Sequence, residues 1–291
     1  MKYFVRRLFY FLSLTGAIFV MFSYLYYYQT EHKFTVHQKI NYLILGDSHV
    51  QNGFEAEKHL SNSINLSNSA EAYFYCYCKL KALIDKDIKI ENLILSYGPH
   101  NLTTAIDTIW VLDNENFLSK SRGYYPFMHF NDLSEFITKA KFSKFIAIKL
   151  IPEIFYQSIY SLERQLLIKK LPYLGGFEPN LNQLSIVASD TTNNRPIAES
   201  NFSNIQVFYL EKIADLCKSQ KIKLFLLNTP LFYGTNVTQP NLKDNEFIIL
   251  DYGNRFKGQI EYFADKVHLN AKGADAFSAI LANDLSKFST K

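Results

Sequence analysis

Residues 41–49 read Asn-Tyr-Leu-Ile-Leu-Gly-Asp-Ser-His. The stretch 41–46 is short, almost continuously apolar and closed by Gly46, which is the pattern of a parallel strand buried on both faces. The same pattern recurs at 92–97 (NLILSY), 222–227 (IKLFLL) and 247–250 (FIIL), with a weaker example at 63–66. Helical patterns separate them at 70–84 and 204–219, and a last helix is expected near 271–288. Strands alternating with helices predict right-handed crossovers. The fold class is therefore α/β, a three-layer α/β/α sandwich around a central parallel sheet of about five strands. Residues 132–170 read as a helical hairpin or cap interrupted at Pro152, and 171–200 as a long polar loop containing Gly175 and Gly176. Together they form an expected helical and loop insertion at about 131–200 within a domain spanning 41–291.

Outward from this core, residues 8–28 (LFYFLSLTGAIFVMFSYLYYY) are uncharged. At about 1.5 Å per residue such a helix crosses a hydrocarbon layer of about 30 Å. Lys2, Arg6 and Arg7 precede it and the first acidic residue is Glu31, so the positive-inside bias predicts an N-terminus in the cytoplasm and a body outside it. The alternative is a cleaved signal peptide, but the run is longer than an ordinary h-region and ends in an aromatic belt rather than a small-residue cleavage site. Residues 1–28 are thus expected as cytoplasmic tip and single-pass anchor, with 29–40 as a short polar linker.

The chain has 291 residues, 31 basic and 27 acidic. Three of the basic ones belong to the cytoplasmic tip, leaving a nearly neutral body, so nucleic acid is not an expected partner. A chain 48% hydrophobic and 16% aromatic has the means to build a core and is not disordered. Cys76 and Cys78 point away from each other on a helix. Either all three cysteines are buried thiols, or one of that pair meets Cys217 through the fold.

In an open α/β sheet, ligands bind beyond the carboxyl ends of the strands. Three polar groups fall there or near the chain end. Asp47 and Ser48 follow the first strand, where Gly46 permits a tight turn and a Ser hydroxyl is exposed. Tyr97-Gly98-Pro99-His100-Asn101 follows the third strand. Asp265-Lys266-Val267-His268 precedes the last helix, and a carboxylate three residues before a histidine can fix the tautomer of an imidazole that activates a hydroxyl. No His, Cys or acidic set shows metal-ligand spacing, so neither metal nor cofactor is expected.

A G-D-S block after the first strand combined with a C-terminal D-x-x-H block resembles the SGNH/GDSL hydrolase family, whose fold is flavodoxin-like. The resemblance spans about 42–288. It implies Ser48 as nucleophile, His268 as general base and Asp265 as its orienter, with Asp47 beside them. It also implies a backbone oxyanion donor at Ala70, where the family usually has Gly in its second block. The family's third block, Gly-x-Asn, is represented here by Gly98 with Pro99 in the next place and the Asn one residue late. Either Asn101 swings into the oxyanion hole, or His100 takes its role, or the hole is incomplete.

The membrane-anchored architecture is similar to that of SGNH proteins of polysaccharide O-acetylation and teichoic-acid D-alanylation. It implies a serine esterase or O-acyltransferase on the bacterial cytoplasmic membrane, facing the cell envelope. Its substrate would be an acylated glycan or lipid, with a polytopic membrane acyltransferase as partner. The alternative is a non-catalytic envelope binding or assembly module that keeps the sandwich and lacks a complete oxyanion hole.

Overall fold

The computed structural model describes residues 1–35, 38–143, 145–168, 174–185, 202–237 and 246–288. They fall into two compact units, one of residues 1–36 and 114–174, the other of residues 37–113 and 175–291.

The second unit holds a five-stranded sheet. Its strands are β1 (Lys39–Leu45), β2 (Ser63–Asn65), β3 (Lys89–Ser96), β4 (Lys223–Asn228) and β5 (Phe247–Asp251), in the spatial order β2-β1-β3-β4-β5. Every pairing is parallel. Leu43, Ile44 and Leu45 sit opposite Leu93, Ile94 and Leu95, and all six are fully buried, so β1 and β3 are covered on both faces. Each such side chain contributes roughly 1.5–3 kcal/mol by leaving water.

On one face Ile44, Ile94, Phe225 and Leu227 pack with Val50 of a short helix, α2 (Ser48–Gly53), and with Phe54 at its C-cap. Phe277, Leu281 and Leu285 of the C-terminal helix Ala271–Ser286 complete that cluster. On the other, α3 (Tyr73–Ile84) and the helix Asn204–Gln220 pack together, with Phe74 and Tyr209 ring centroids 5.2 Å apart. The chain leaves β1 for β2 on one side and returns to β3 on the other. The crevice beyond the carboxyl ends of β1 and β3 is therefore a topological switch point, where ligands of open α/β sheets bind. Gly46 is what lets those two ends close up. Its φ is +145°, and a Cβ there would stand 2.2 Å from the Ser96 Cβ.

The first unit contains α1 (Lys2–Thr35), α4 (Asn114–Tyr124), α5 (Phe130–Lys139) and α6 (Phe145–Ile168). With these named, Asn204–Gln220 is α7 and Ala271–Ser286 is α8. Among the described residues α1 is the single helix long and apolar enough to cross a membrane.

Several sequence expectations change. Residues 29–35, expected within the linker, are helical, because α1 continues through Thr35, and β1 begins at Lys39. Pro152 does not end its helix: α6 runs through it, giving up one N–H donor. The third-block residues form a 3₁₀ turn at Pro99–Leu102, and α4 follows further along the chain. The helix expected from residue 70 starts at Tyr73, since Ala70 has φ +53° and breaks the helical path. In the expected polar loop, 174–185 lack regular structure, while 171–173 and 186–200 lie outside the described residues. All three cysteines are buried free thiols, which settles the pairing left open above. Burial raises the Cys217 thiol to about 12.

Candidate active site

Ser48 opens α2 directly after β1, with Asp47 as its N-cap: Asp47 Oδ1 accepts from the His49 N–H at 3.2 Å, and the Asp47 carbonyl accepts from Gln51 N–H at 3.0 Å. His268 comes from the opposite end of the chain. Its loop is closed by the Ala264 N–H to His268 carbonyl bond of 2.9 Å and an antiparallel bridge between Phe263 and Leu269. Asn270 then caps α8 by accepting from Gly273 N–H at 2.9 Å. Gly273 is required there, because a Cβ would lie 2.1 Å from the Tyr262 carbonyl oxygen.

These local structures bring the expected triad together. His268 Nε2 lies 2.8 Å from Ser48 Oγ, and His268 Nδ1 lies 2.8 Å from Asp265 Oδ2. Asp265 Oδ1 also accepts from the backbone N–H groups of Val267 and His268, each at 2.8 Å. Partial burial works to raise the Asp265 carboxyl, but hydrogen bonds from His268 and from the backbone outweigh it and hold the group at about 2. An ionised Asp265 receiving Nδ1–H leaves Nε2 as the acceptor for the Ser48 hydroxyl, the arrangement a general base needs.

Asp47 is the hub of a second network. Its buried carboxylate accepts from Ser96 Oγ at 3.0 Å, from Asn101 Nδ2 at 2.9 Å and from His100 Nε2 at 2.7 Å, and His49 Nδ1 is 3.3 Å away. Burial alone would push Asp47 up; the two imidazoles hold it well below the usual carboxylate range. His49 is pushed down by burial and by His100, against the pull of Asp47. Its ring stacks on His100 with centroids 4.0 Å apart and stands 5.0 Å from His268, so it forms the wall between the two networks.

Of the expected oxyanion donors, Ala70 holds the left-handed conformation that favours Gly, with φ +53°. It borders the same cavity as Ser48, and so does His100. Asn101 does not swing in. Pro99 starts a 3₁₀ turn that folds Asn101 back, where its Oδ1 accepts from Gly98 N–H at 2.7 Å and its amide is spent on Asp47. His100 occupies the cavity wall instead. Gly98 makes this room: a Cβ there would stand 2.6 Å from His100 Cε1.

The cavity measures about 560 Å³. Besides the expected residues it is lined by Asn52, Ser69, Thr103, Ile106 and Asn180, which the sequence did not single out. Asn180 belongs to a strap, 174–185, that stitches the site together. Glu178 N–H donates to the Gln51 carbonyl at 3.0 Å, Asn52 Nδ2 to the Glu178 carbonyl at 2.7 Å, and Ala271 N–H to the Asn180 carbonyl at 2.9 Å. The strap thus touches both α2, which carries Ser48, and the start of α8. The double glycine at 175 and 176 was its visible signal: a Cβ on Gly175 would lie 2.4 Å from the Leu66 carbonyl oxygen.

Asp47, His49 and His100 also offer three donor atoms within 4.8 Å of one another, as a metal ion would need. The sequence hides this set because His100 arrives from another strand. Both imidazoles converge on one carboxylate oxygen that also accepts from Asn101, so the cluster satisfies its own hydrogen bonds.

Comparison with known proteins adds little to this geometry. No family model matches the chain, and no curated protein matches it. Among solved structures, a variant of the sialyltransferase Cst-II in complex with CMP is 17% identical, with 82% of this chain and 98% of that one covered, at a TM-score of 0.17. The sialyltransferase CstII from Campylobacter jejuni in complex with the substrate analogue CMP-3FNeuAc is 19% identical, with 82% and 99% covered, at a TM-score of 0.16.

Proposed function

We propose that this chain is a serine-dependent esterase or O-acyltransferase of SGNH/GDSL type, working through an acyl-enzyme on Ser48. The observation that carries the reading is the continuous chain of contacts from Asp265 through His268 to Ser48, each 2.8 Å long. Ser48 Oγ attacks an ester carbonyl while His268 Nε2 takes its proton. The C–O bond to Ser48 forms, the leaving alkoxide departs with the proton from His268, and water or a hydroxyl acceptor repeats the sequence in reverse. Asp265 stays ionised and steadies the imidazolium. The backbone N–H groups of Ser48 and Ala70 are the candidates for holding the tetrahedral oxyanion.

The apolar helix α1 supports a membrane setting. In this reading α1 crosses the bacterial cytoplasmic membrane with the N-terminus inside, and the sheet domain works on an acylated glycan or lipid of the envelope, beside a polytopic acyltransferase.

One observation favours the second reading, a non-catalytic binding module. The Asn101 amide is engaged by Asp47 and is not offered to the cavity. Loss of one oxyanion donor costs about 100–1000-fold in rate, so a two-donor hole predicts a slow enzyme rather than an inert one. A fluorophosphonate probe separates the readings. Covalent labelling of the wild type and its loss in Ser48→Ala supports the enzyme; a folded wild type that never labels favours the module.

A further inference from the structure

Exposed large apolar side chains are concentrated on two helices. Among the described residues fifteen lie on α1, eight on α6 and six elsewhere. On α6, Phe145, Ile148, Ile151 and Ile159 follow the three- and four-residue steps that place side chains on one helix face, while Ile146, Leu150, Ser158 and Ser161 turn inward and are buried. A face turned to water carries polar residues. This one carries Lys149 and Glu163 as its exposed charges.

The two helices run parallel. Phe155 of α6 meets Phe19 and Phe22 of α1 with ring centroids 5.7 and 6.1 Å apart, and further along both helices Ser161 and Gln165 meet Gln29. From Lys2 to Ile18, α1 is exposed on all sides; beyond Phe19 it becomes covered, and Tyr26 and Thr30 are buried. Lys2, Arg6 and Arg7 fix the start of the apolar segment at Leu8. A hydrocarbon layer of about 30 Å takes up about 20 residues from there, reaching about Tyr27. The bare stretch from Leu8 to Ile18 fills only about half of that thickness. The remaining half coincides with the stretch of α1 that is packed against α6, and so it must meet the outer face of α6.

We propose that the exposed apolar face of α6 is sunk among lipid acyl chains, beside α1. The proposal rests on α1 being a membrane span. It adds a second, non-spanning contact with the bilayer that holds the helical unit to the surface. Of the charges on α6, Glu153 pairs with Arg122 at 3.0 Å, and Glu163 lies between Ser161 and Gln165, which meet Gln29 at the outer end of the layer.

Trp110 is the single tryptophan, so Trp110→Phe gives a dark background for reporter tryptophans. In that background Ile151→Trp on α6, Leu14→Trp on α1 and Leu181→Trp on the sheet domain are each placed in the full chain, in phosphatidylcholine vesicles with brominated acyl chains. The expected result is quenching of Ile151→Trp within about twofold of Leu14→Trp, with Leu181→Trp unquenched. Quenching of Leu14→Trp without Ile151→Trp overturns the proposal. Acrylamide then tells whether water covers the face, if it quenches, or a protein surface or second copy, if it does not. No quenching of Leu14→Trp would instead sink the membrane-span reading, and the proposal with it.

Discussion

Asn101 gives its side-chain amide to Asp47: Nδ2 stands 2.9 Å from Oδ2, and Asn101 Oδ1 is held by the Gly98 N–H. The residue nearest in type to a third oxyanion donor is thereby a brace beneath the turn that carries Ser48. Asn101→Ala should leave Asp47 one donor short in a buried setting, at a cost of about 1–3 kcal/mol. Because the amide does not line the cavity, the rate of fluorophosphonate labelling should change less than tenfold, well short of the loss expected for an oxyanion donor. A hundredfold slower reaction in a variant of unchanged melting behaviour would show that Asn101 reaches the substrate after all.

Ser48→Ala should abolish labelling and reduce ester hydrolysis by about 10⁴-fold or more, with the far-UV circular dichroism unchanged. Residual hydrolysis equal to wild type would move the chemistry to another residue.

Asp265 has a folded carboxyl near 2, below the ordinary value of about 3.9. A depressed folded value means a stabilising contribution that is complete above the unfolded value and is lost as pH falls toward 2. The side chain is half exposed, so solvent screening keeps the contribution below about 1 kcal/mol. Urea midpoints measured from pH 6 down to about pH 2 should fall less steeply in Asp265→Asn than in wild type. At pH 7 the same variant should show a kcat reduced by several orders of magnitude, because the amide favours the wrong tautomer of His268.

Gly98→Ala places a methyl group 2.6 Å from the His100 ring. The ring must leave its position on Asp47, at a cost of about 1–3 kcal/mol. Thermal melting measures the loss, and the imidazole signals of His100 in an NMR spectrum should shift more than those of His59.

Lys79 and Glu71 are both buried, with Nζ 2.7 Å from Glu71 Oε1 and 2.5 Å from the Leu66 carbonyl oxygen. Lys79→Met should destabilise by about 3–5 kcal/mol by stranding the carboxylate, and adding Glu71→Leu should recover much of that. Chemical unfolding of the single and double variants tests both signs.

The strands were legible because each is a continuous apolar run, and a run buried on both faces needs no partner to be recognised. Ser48, Asp265 and His268 were legible as two short blocks, G-D-S and D-x-x-H, whose pairing resembles that of a known family. Ala70 was visible as a residue, and its left-handed backbone was not, since nothing in Ser69-Ala70-Glu71 forces a positive φ. The role of Asn101 was hidden for another reason: its partner, Asp47, follows a neighbouring strand, and the meeting depends on the register of β1 with β3. Asn180 and the strap carry no periodic pattern at all. Pro152 misled because a helix held by tertiary packing tolerates one missing donor.

His268 and Ser48 touch across a sequence separation of 220 residues. During synthesis Ser48 emerges well before His268, which follows only after a further 220 residues. Through that interval Ser48 is an ordinary alcohol with no base beside it. In the proposed mechanism a chain made only as far as Ser48 therefore meets esters without attacking them, and reactivity waits until His268 has been added and folded against the end of β1.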